Sequence, residues 1–282
     1  MKIFLTVFMA FLFLVVACEE EKVGSSDYLA PQYSESKEKG IREYNLDVEK
    51  GEASNRSACD TIALQEYVLD NYPSGDYLVE YDRTSTYNIP RSAVVYHKGP
   101  KDTTYIFAVI AKSKPGERFI EKKNVIGFES SFINLDSTKL GTAFFYLTLF
   151  ACNPITGLER VWEAEVPIHG GFNAMTFKTW KAKKISYIEL NYEAGIISGH
   201  RNYNYFFVDG IRKQPHLMET YVGIVHKRTL TDINNDKYPD YWEFRFDEAR
   251  DYIKIRDSIP FYWDPKRALY LSKVNSRWFR YY

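Results

Sequence analysis

The densest run of ligand-type side chains is Asp232 to Glu243, which reads D-I-N-N-D-K-Y-P-D-Y-W-E. Asp232, Asn234 and Asp236 place oxygens at alternate positions, Tyr238 can add its carbonyl, and Asp240 and Glu243 follow. Calcium takes about six to eight hard oxygens from carboxylates, amides and main-chain carbonyls, at roughly 2.3–2.6 Å. One loop of this spacing can wrap such an ion. Lys237 occupies the sixth place, where a sharp turn asks for glycine; a left-handed backbone there would cost a residue with a side chain about 1–2 kcal/mol. Its charge must also point outward if a cation is to bind. Asn, Asp and Pro are turn formers in their own right, so the same letters also spell a metal-free hairpin turn.

The flanks decide which kind of loop this is. Neither Tyr221–Thr229 nor Tyr241–Phe246 has helical period, and Tyr241–Phe246 alternates aromatic with charged residues as a half-buried strand does. The pattern D-x-N-x-D-x-x-P-D followed by a strand resembles the strand-flanked loops of integrin-type and FG-GAP/VCBS repeats more than a helix-loop-helix EF-hand. That resemblance covers about a dozen residues. It implies a structural calcium pinning two strands, with Asp240 closing the site and Glu243, the EF-hand's last ligand, belonging to the next strand. The implied affinity is in the weak range of roughly 10⁻⁴–10⁻³ M found in extracellular modules. Asn134–Thr142 is a fainter echo that keeps a lysine but replaces several of the acids with Thr or Gly. A degenerate repeat would favour a small β-propeller, yet nothing comparable recurs at a regular period.

Catalytic patterns are sparse. His169-Gly170-Gly171 has the form of a lipase oxyanion-hole turn, but no G-x-S-x-G elbow accompanies it, and Gly195–His200 has the letters at the wrong spacing. Both read as glycine turns between strands. His97, His169, His200, His216 and His226 are scattered and make no local zinc motif. Glu163, Glu165, Glu189 and Glu193 alternate along strands, which leaves open a paired-carboxylate glycosidase site assembled in space.

The first eighteen residues carry a different chemistry. Lys2 is followed by an apolar run to Ala17, too short for a bilayer-spanning helix and the right length for a signal-peptide core. The run ends in Val15-Val16-Ala17-Cys18, before Glu19-Glu20-Glu21. This resembles the lipobox of bacterial lipoproteins, with Val15 where that family prefers Leu. The resemblance implies loss of residues 1–17 and acylation of Cys18, and several acyl chains anchor a protein far more firmly than one. The acidic run resembles sorting signals of surface-displayed lipoproteins. The implied location is the bacterial envelope, with the outer membrane or cell surface favoured.

The remaining chain, about 265 residues, is enough for one large domain or two small ones. Lys plus Arg and Asp plus Glu balance at 37 each, so no basic field argues for nucleic acid. Glu19 to Ser57 is polar and lacks a sustained period, which reads as a flexible stalk over residues 18–57. Asn55-Arg56-Ser57 fits a glycosylation acceptor, read here as chance. Cys59 and Cys152 would lie in an oxidising compartment, where a disulfide and two separate buried thiols are both open.

Residues 58–282 read as the globular domain. Asp60 can cap a short helix over Thr61–Leu69. Strand patterns then follow at 76–82, 92–97, 103–111, 124–133, 142–152, 158–166, 173–180, 185–192, 203–208, 221–229 and 241–246. Asp264-Pro265 reads as a second helix start, running towards Val274, and the aromatic tail from Trp278 to Tyr282 is expected to pack back on the domain. Many short antiparallel strands with one or two peripheral helices make an all-β sandwich or barrel. Together these readings give a lipid-anchored lipoprotein whose calcium-stabilised, non-catalytic domain binds a glycan, a protein or an envelope component; the alternative is a lipid-anchored hydrolase.

Overall fold

A computed structural model of the chain describes residues 35–73, 76–82, 90–112, 144–167, 172–193, 199–223, 226–249 and 252–282. Cys18, the strand read at 124–133, the echo at 134–142 and the turn at 169–171 lie outside the described residues. Among the described residues, two helices, α1 (Glu35–Glu52) and α2 (Thr61–Asn71), precede sixteen strands. A five-stranded sheet holds β1 (Tyr77–Leu78), β4 (Val94–Lys98), β5 (Thr104–Lys112), β6 (Phe144–Asn153) and β7 (Gly157–Val166). A two-stranded hairpin joins β2 (Glu80–Asp82) to β3 (Pro90–Ser92).

The nine-stranded sheet is a single antiparallel meander in chain order. It contains β8 (Phe172–Trp180), β9 (Ile185–Glu193), β10 (His200–Phe206), β11 (His216–Val222), β12 (His226–Thr231), β13 (Asp240–Ala249), β14 (Tyr252–Asp264), β15 (Leu269–Ser272) and β16 (Phe279–Arg280). The fold is all-β and sandwich-like, with open sheets rather than a closed barrel.

Period-two burial explains the layers. On β5, Phe107, Val109 and Ala111 face the meander while Ile106, Ala108 and Ile110 face α2. The strand is buried on both sides and therefore reads as an unbroken apolar run. β6 repeats this with Leu147 and Leu149 on one face, Phe150 and Cys152 on the other. The sandwich core closes on Ile188, Leu190, Tyr203 and Tyr205 of β9 and β10, with Ile188 opposite Tyr205 and Leu190 opposite Tyr203. Buried polar tips find partners across the layers: Tyr205 Oη donates to the Glu165 carbonyl and Trp162 Nε1 to that of Ile211, each at 2.8 Å.

α2 lies over the outer face of β5 and β6 through Leu64, Val68 and Tyr72. Asp60 caps it as expected, with extended backbone and its carboxylate accepting from Ala63 N at 2.7 Å. A disulfide joins Cys59, beside this cap, to Cys152 on β6.

Four expectations are corrected. Part of the stretch read as a stalk is the helix α1, whose Leu46 is buried, whose Lys50 pairs with Glu66 of α2, and whose Arg42 donates to the Asp76 carbonyl at 2.6 Å. The run read as one strand over 221–229 is the meeting of β11 and β12 at a turn closed by Gly223 N and the His226 carbonyl, 2.8 Å apart. No helix starts at Asp264: its carboxylate accepts from Lys266 N and Arg267 N, turning β14 into β15. An acidic side chain bonding the next few N–H groups serves a helix cap and a tight turn equally well. The tail does return as the edge strand β16, but Trp278, Phe279 and Tyr281 keep 40%, 46% and 71% of their surface in solvent.

β11 and β12 share only two register pairs, Tyr221 with Arg228 and Val222 with Lys227. The meander's early and late strands nonetheless share a core: Trp180, Phe206 and Met218 pack in one cluster with Tyr241, Ile259, Phe261 and Tyr270. Among the described residues no helix is long and apolar enough to cross a membrane.

Candidate functional site: the Asp232 loop and the C-terminal edge

The loop between β12 and β13 is held by its own donors. Asp232 Oδ1 accepts from Asn235 N at 2.9 Å, and Oδ2 lies 2.7 Å from Lys183 Nζ. Asn234 and Asp236 clasp each other: Asp236 N donates to Asn234 Oδ1 at 3.1 Å and Asn234 Nδ2 to Asp236 Oδ2 at 2.7 Å. Asp236 Oδ1 also accepts from Tyr238 N at 2.6 Å. Asp240 is fully buried; Oδ2 accepts from Ile233 N and Asn234 N, Oδ1 from Trp263 N. Burial raises the Asp240 pKa above the ordinary carboxylate value, and the three N–H bonds pull against that rise.

The loop differs from its expected form at the sixth position. Its left-handed residue is Asn235, at φ 60°, and not Lys237; Asn tolerates that conformation better than most side-chain-bearing residues. Lys237 points outward, pairing with Asp209 and lying 5.1 Å from the Tyr238 ring centre. Glu243 is committed elsewhere, to Arg228 at 3.3 Å, Arg245 at 3.4 Å and Arg280 at 3.6 Å. The sheet dictates this, because register sets Glu243 opposite Arg228. Among the described residues no three His, Cys, Asp or Glu side chains gather as a metal site.

Pro239 joins the loop to a partly buried relay. Tyr270 Oη donates to the Pro239 carbonyl at 2.9 Å, and His216 Nε2 lies 2.7 Å from the same oxygen of Tyr270. The single hydroxyl hydrogen is already used, so His216 donates from Nε2. Its ring is boxed by Tyr238, Trp263 and Tyr270, with centres 5.3, 4.4 and 5.8 Å away. Burial in this box lowers the His216 pKa to about 3.

Sequence reasoning missed a second constellation, since its members are far apart in the chain. Arg228, only 4% exposed, sits 4.3 Å from the Tyr241 ring centre and 5.2 Å from that of Tyr221. It also bonds Glu219 at 3.0 Å and the main-chain oxygen of Tyr282 at 2.8 Å. This buried guanidinium holds the C-terminal segment on the sheet. Around it, the partly exposed Arg201 bonds Glu219 at 2.9 Å, Arg245 lies 6.0 Å from the solvent-facing Trp278 ring centre, and Arg280 stands in the chain between the exposed Phe279 and Tyr281. The only signal for it in the sequence was the unusually aromatic tail.

The other candidates are dispersed. Glu163 accepts from Tyr72 Oη at 3.0 Å and Lys112 Nζ at 2.8 Å, tying the end of α2 to the five-stranded sheet. Glu189, in the other sheet, pairs with Lys178 at 2.6 Å. Glu165 is exposed, and the Glu193 side chain lies outside the described residues. His97 stacks on Phe177 with ring centres 4.2 Å apart. Gly199 has φ +82° and no room for a Cβ against the Val222 carbonyl, a requirement of strand packing rather than of catalysis. No protein-family model, curated protein or solved structure matches the chain.

Proposed function

We propose that the chain is a lipid-anchored lipoprotein of the bacterial envelope, with Cys18 as the acylated residue and a non-catalytic binding domain beyond it. The lipobox-like Val15–Cys18 carries the anchor. The Cys59–Cys152 bridge supports an oxidising compartment, since such bonds persist outside the reducing cytosol. The outer membrane or cell surface is the favoured location.

The observation that carries the binding role is the C-terminal edge, where the rings of Trp278, Phe279, Tyr281 and Tyr282 stay in solvent although their backbone is held by β16 and Arg228. Exposed aromatics grouped with arginines mark interaction surfaces. Flat rings and planar guanidinium groups suit stacking on sugar faces and bidentate bonding to anionic groups, so an envelope glycan is the preferred ligand.

The test uses the full chain carrying Cys18→Ala, secreted without acyl chains, and the same chain with Trp278→Ala and Tyr281→Ala added. Envelope glycan should be retained by the first and lost by the second, while a fatty-acid alkyne labels only the chain that keeps Cys18. Absence of label on Cys18 sinks the anchor. Equal glycan retention by both chains, or none by either, sinks the binding edge.

A further inference from the structure

We propose that the Asp232–Asp240 loop is closed by the chain's own cation, the Lys183 ammonium, which takes over the charge-neutralising and strand-linking role that the loop's resemblance assigns to calcium. All six oxygens of the three loop carboxylates already have a protein donor. Asp232 uses Asn235 N and Lys183, Asp236 uses Tyr238 N and Asn234 Nδ2, and Asp240 uses Trp263 N, Ile233 N and Asn234 N. A bound ion would need several of these oxygens at once. Turning Asp240 towards it would strip three main-chain N–H groups of their acceptor, and recruiting Asp232 would displace Lys183. The donor set therefore does not fit a resident calcium.

Lys183 is placed for this task. It sits in the β8–β9 turn, which is held by Lys183 N donating to the Trp180 carbonyl at 3.3 Å, and the residue after it, Lys184, has φ 56°. From there Nζ reaches Asp232 Oδ2 at 2.7 Å and Asn235 Oδ1 at 2.8 Å. Its side chain is 18% exposed, so the pair is largely shielded from screening by salt. Lys273 Nζ, 3.5 Å from the Ile233 carbonyl, adds a second positive charge beside the loop. The contact links the first hairpin of the meander to its later strands, the same two regions joined by Trp180, Tyr241 and Tyr270 in the core beneath. The inference is independent of where the protein resides and of what it binds.

The test is thermal unfolding of the full chain with Cys18→Ala, in chelator and in about 5 mM calcium, above the weak range of extracellular modules. Terbium luminescence, sensitised by Tyr238 and Trp263, is recorded alongside. The expected result is one melting temperature in both buffers and no terbium signal. Lys183→Met should then melt several degrees lower, while Lys183→Arg, which keeps a cation, melts near the parent. A melting temperature that falls in chelator, or stoichiometric terbium binding by the parent, overturns the proposal; so does Lys183→Met melting with the parent. If Lys183→Met does not fold, the chelator comparison on the parent still decides.

Discussion

Arg228 and His216 show two ways of burying a titratable side chain. Arg228 stays charged between the Tyr221 and Tyr241 rings and meets Glu219 and Glu243. Desolvation offsets much of the attraction in such a cluster, so its removal costs mainly through what it leaves behind. Arg228→Met should lower unfolding free energy by about 3 kcal/mol in urea titration, at the low end for a broken buried pair because Arg201, Arg245 and Arg280 still face the two carboxylates. His216 is instead kept neutral by its aromatic box, at about 3 against roughly 6.5 for a free imidazole. Since its folded value lies below the unfolded one, the stability it confers is complete above about pH 6.5 and is lost as pH falls towards 3, where the unfolded chain holds a proton that the folded chain refuses. The slope approaches about 1.4 kcal/mol per pH unit. His216→Gln can still donate to Tyr270, so its urea midpoint should be flatter than the parent's between pH 6.5 and 5, above the range where most carboxylates titrate.

At the level of elements, α2 shows how a short helix is secured at one end. The Asp60 cap, the ion pair of Arg56 with Asp60 at 3.0 Å and the Cys59–Cys152 bridge all meet at its N-terminus. The bridge spans 93 residues of sequence, and loop-closure entropy for that length is about 4–5 kcal/mol in the chain-entropy limit. The double variant Cys59→Ala, Cys152→Ala should lose about 2–4 kcal/mol in denaturant, and the reduced parent should unfold with it. Unchanged unfolding would mean the bridge does not constrain the unfolded chain. α2 could be read from Asp60 and the apolar residues behind it. α1 could not, because Leu46 is its one buried side chain among the described residues, while Ile41, Tyr44 and Val48 stay exposed among many charged residues, so its composition matches that of a solvated coil. The Asp264 turn failed for a related reason: the local chemistry is the same for a helix start and a hairpin, and only the antiparallel pairing of Tyr262 with Leu271 distinguishes them.

Across the whole molecule, the sequence by itself determined the fold class, most strand positions and the Asp60 cap, together with the identity of the loop residues and the Cys18 expectation. These depend on side-chain alternation and turn chemistry within about ten residues of one another. Only the tertiary structure decided that nine strands form one meander, that its early and late strands share a core, and which groups meet at the loop. A strand's period reveals its own buried face, but its neighbours are chosen by packing and hydrogen bonding over long sequence separations. Lys183 reaches Asn235 across 52 residues and Arg228 reaches Tyr282 across 54. For that reason the letters of the Asp232 loop spell a calcium site, whereas the three-dimensional arrangement gives those carboxylates to N–H groups and a lysine.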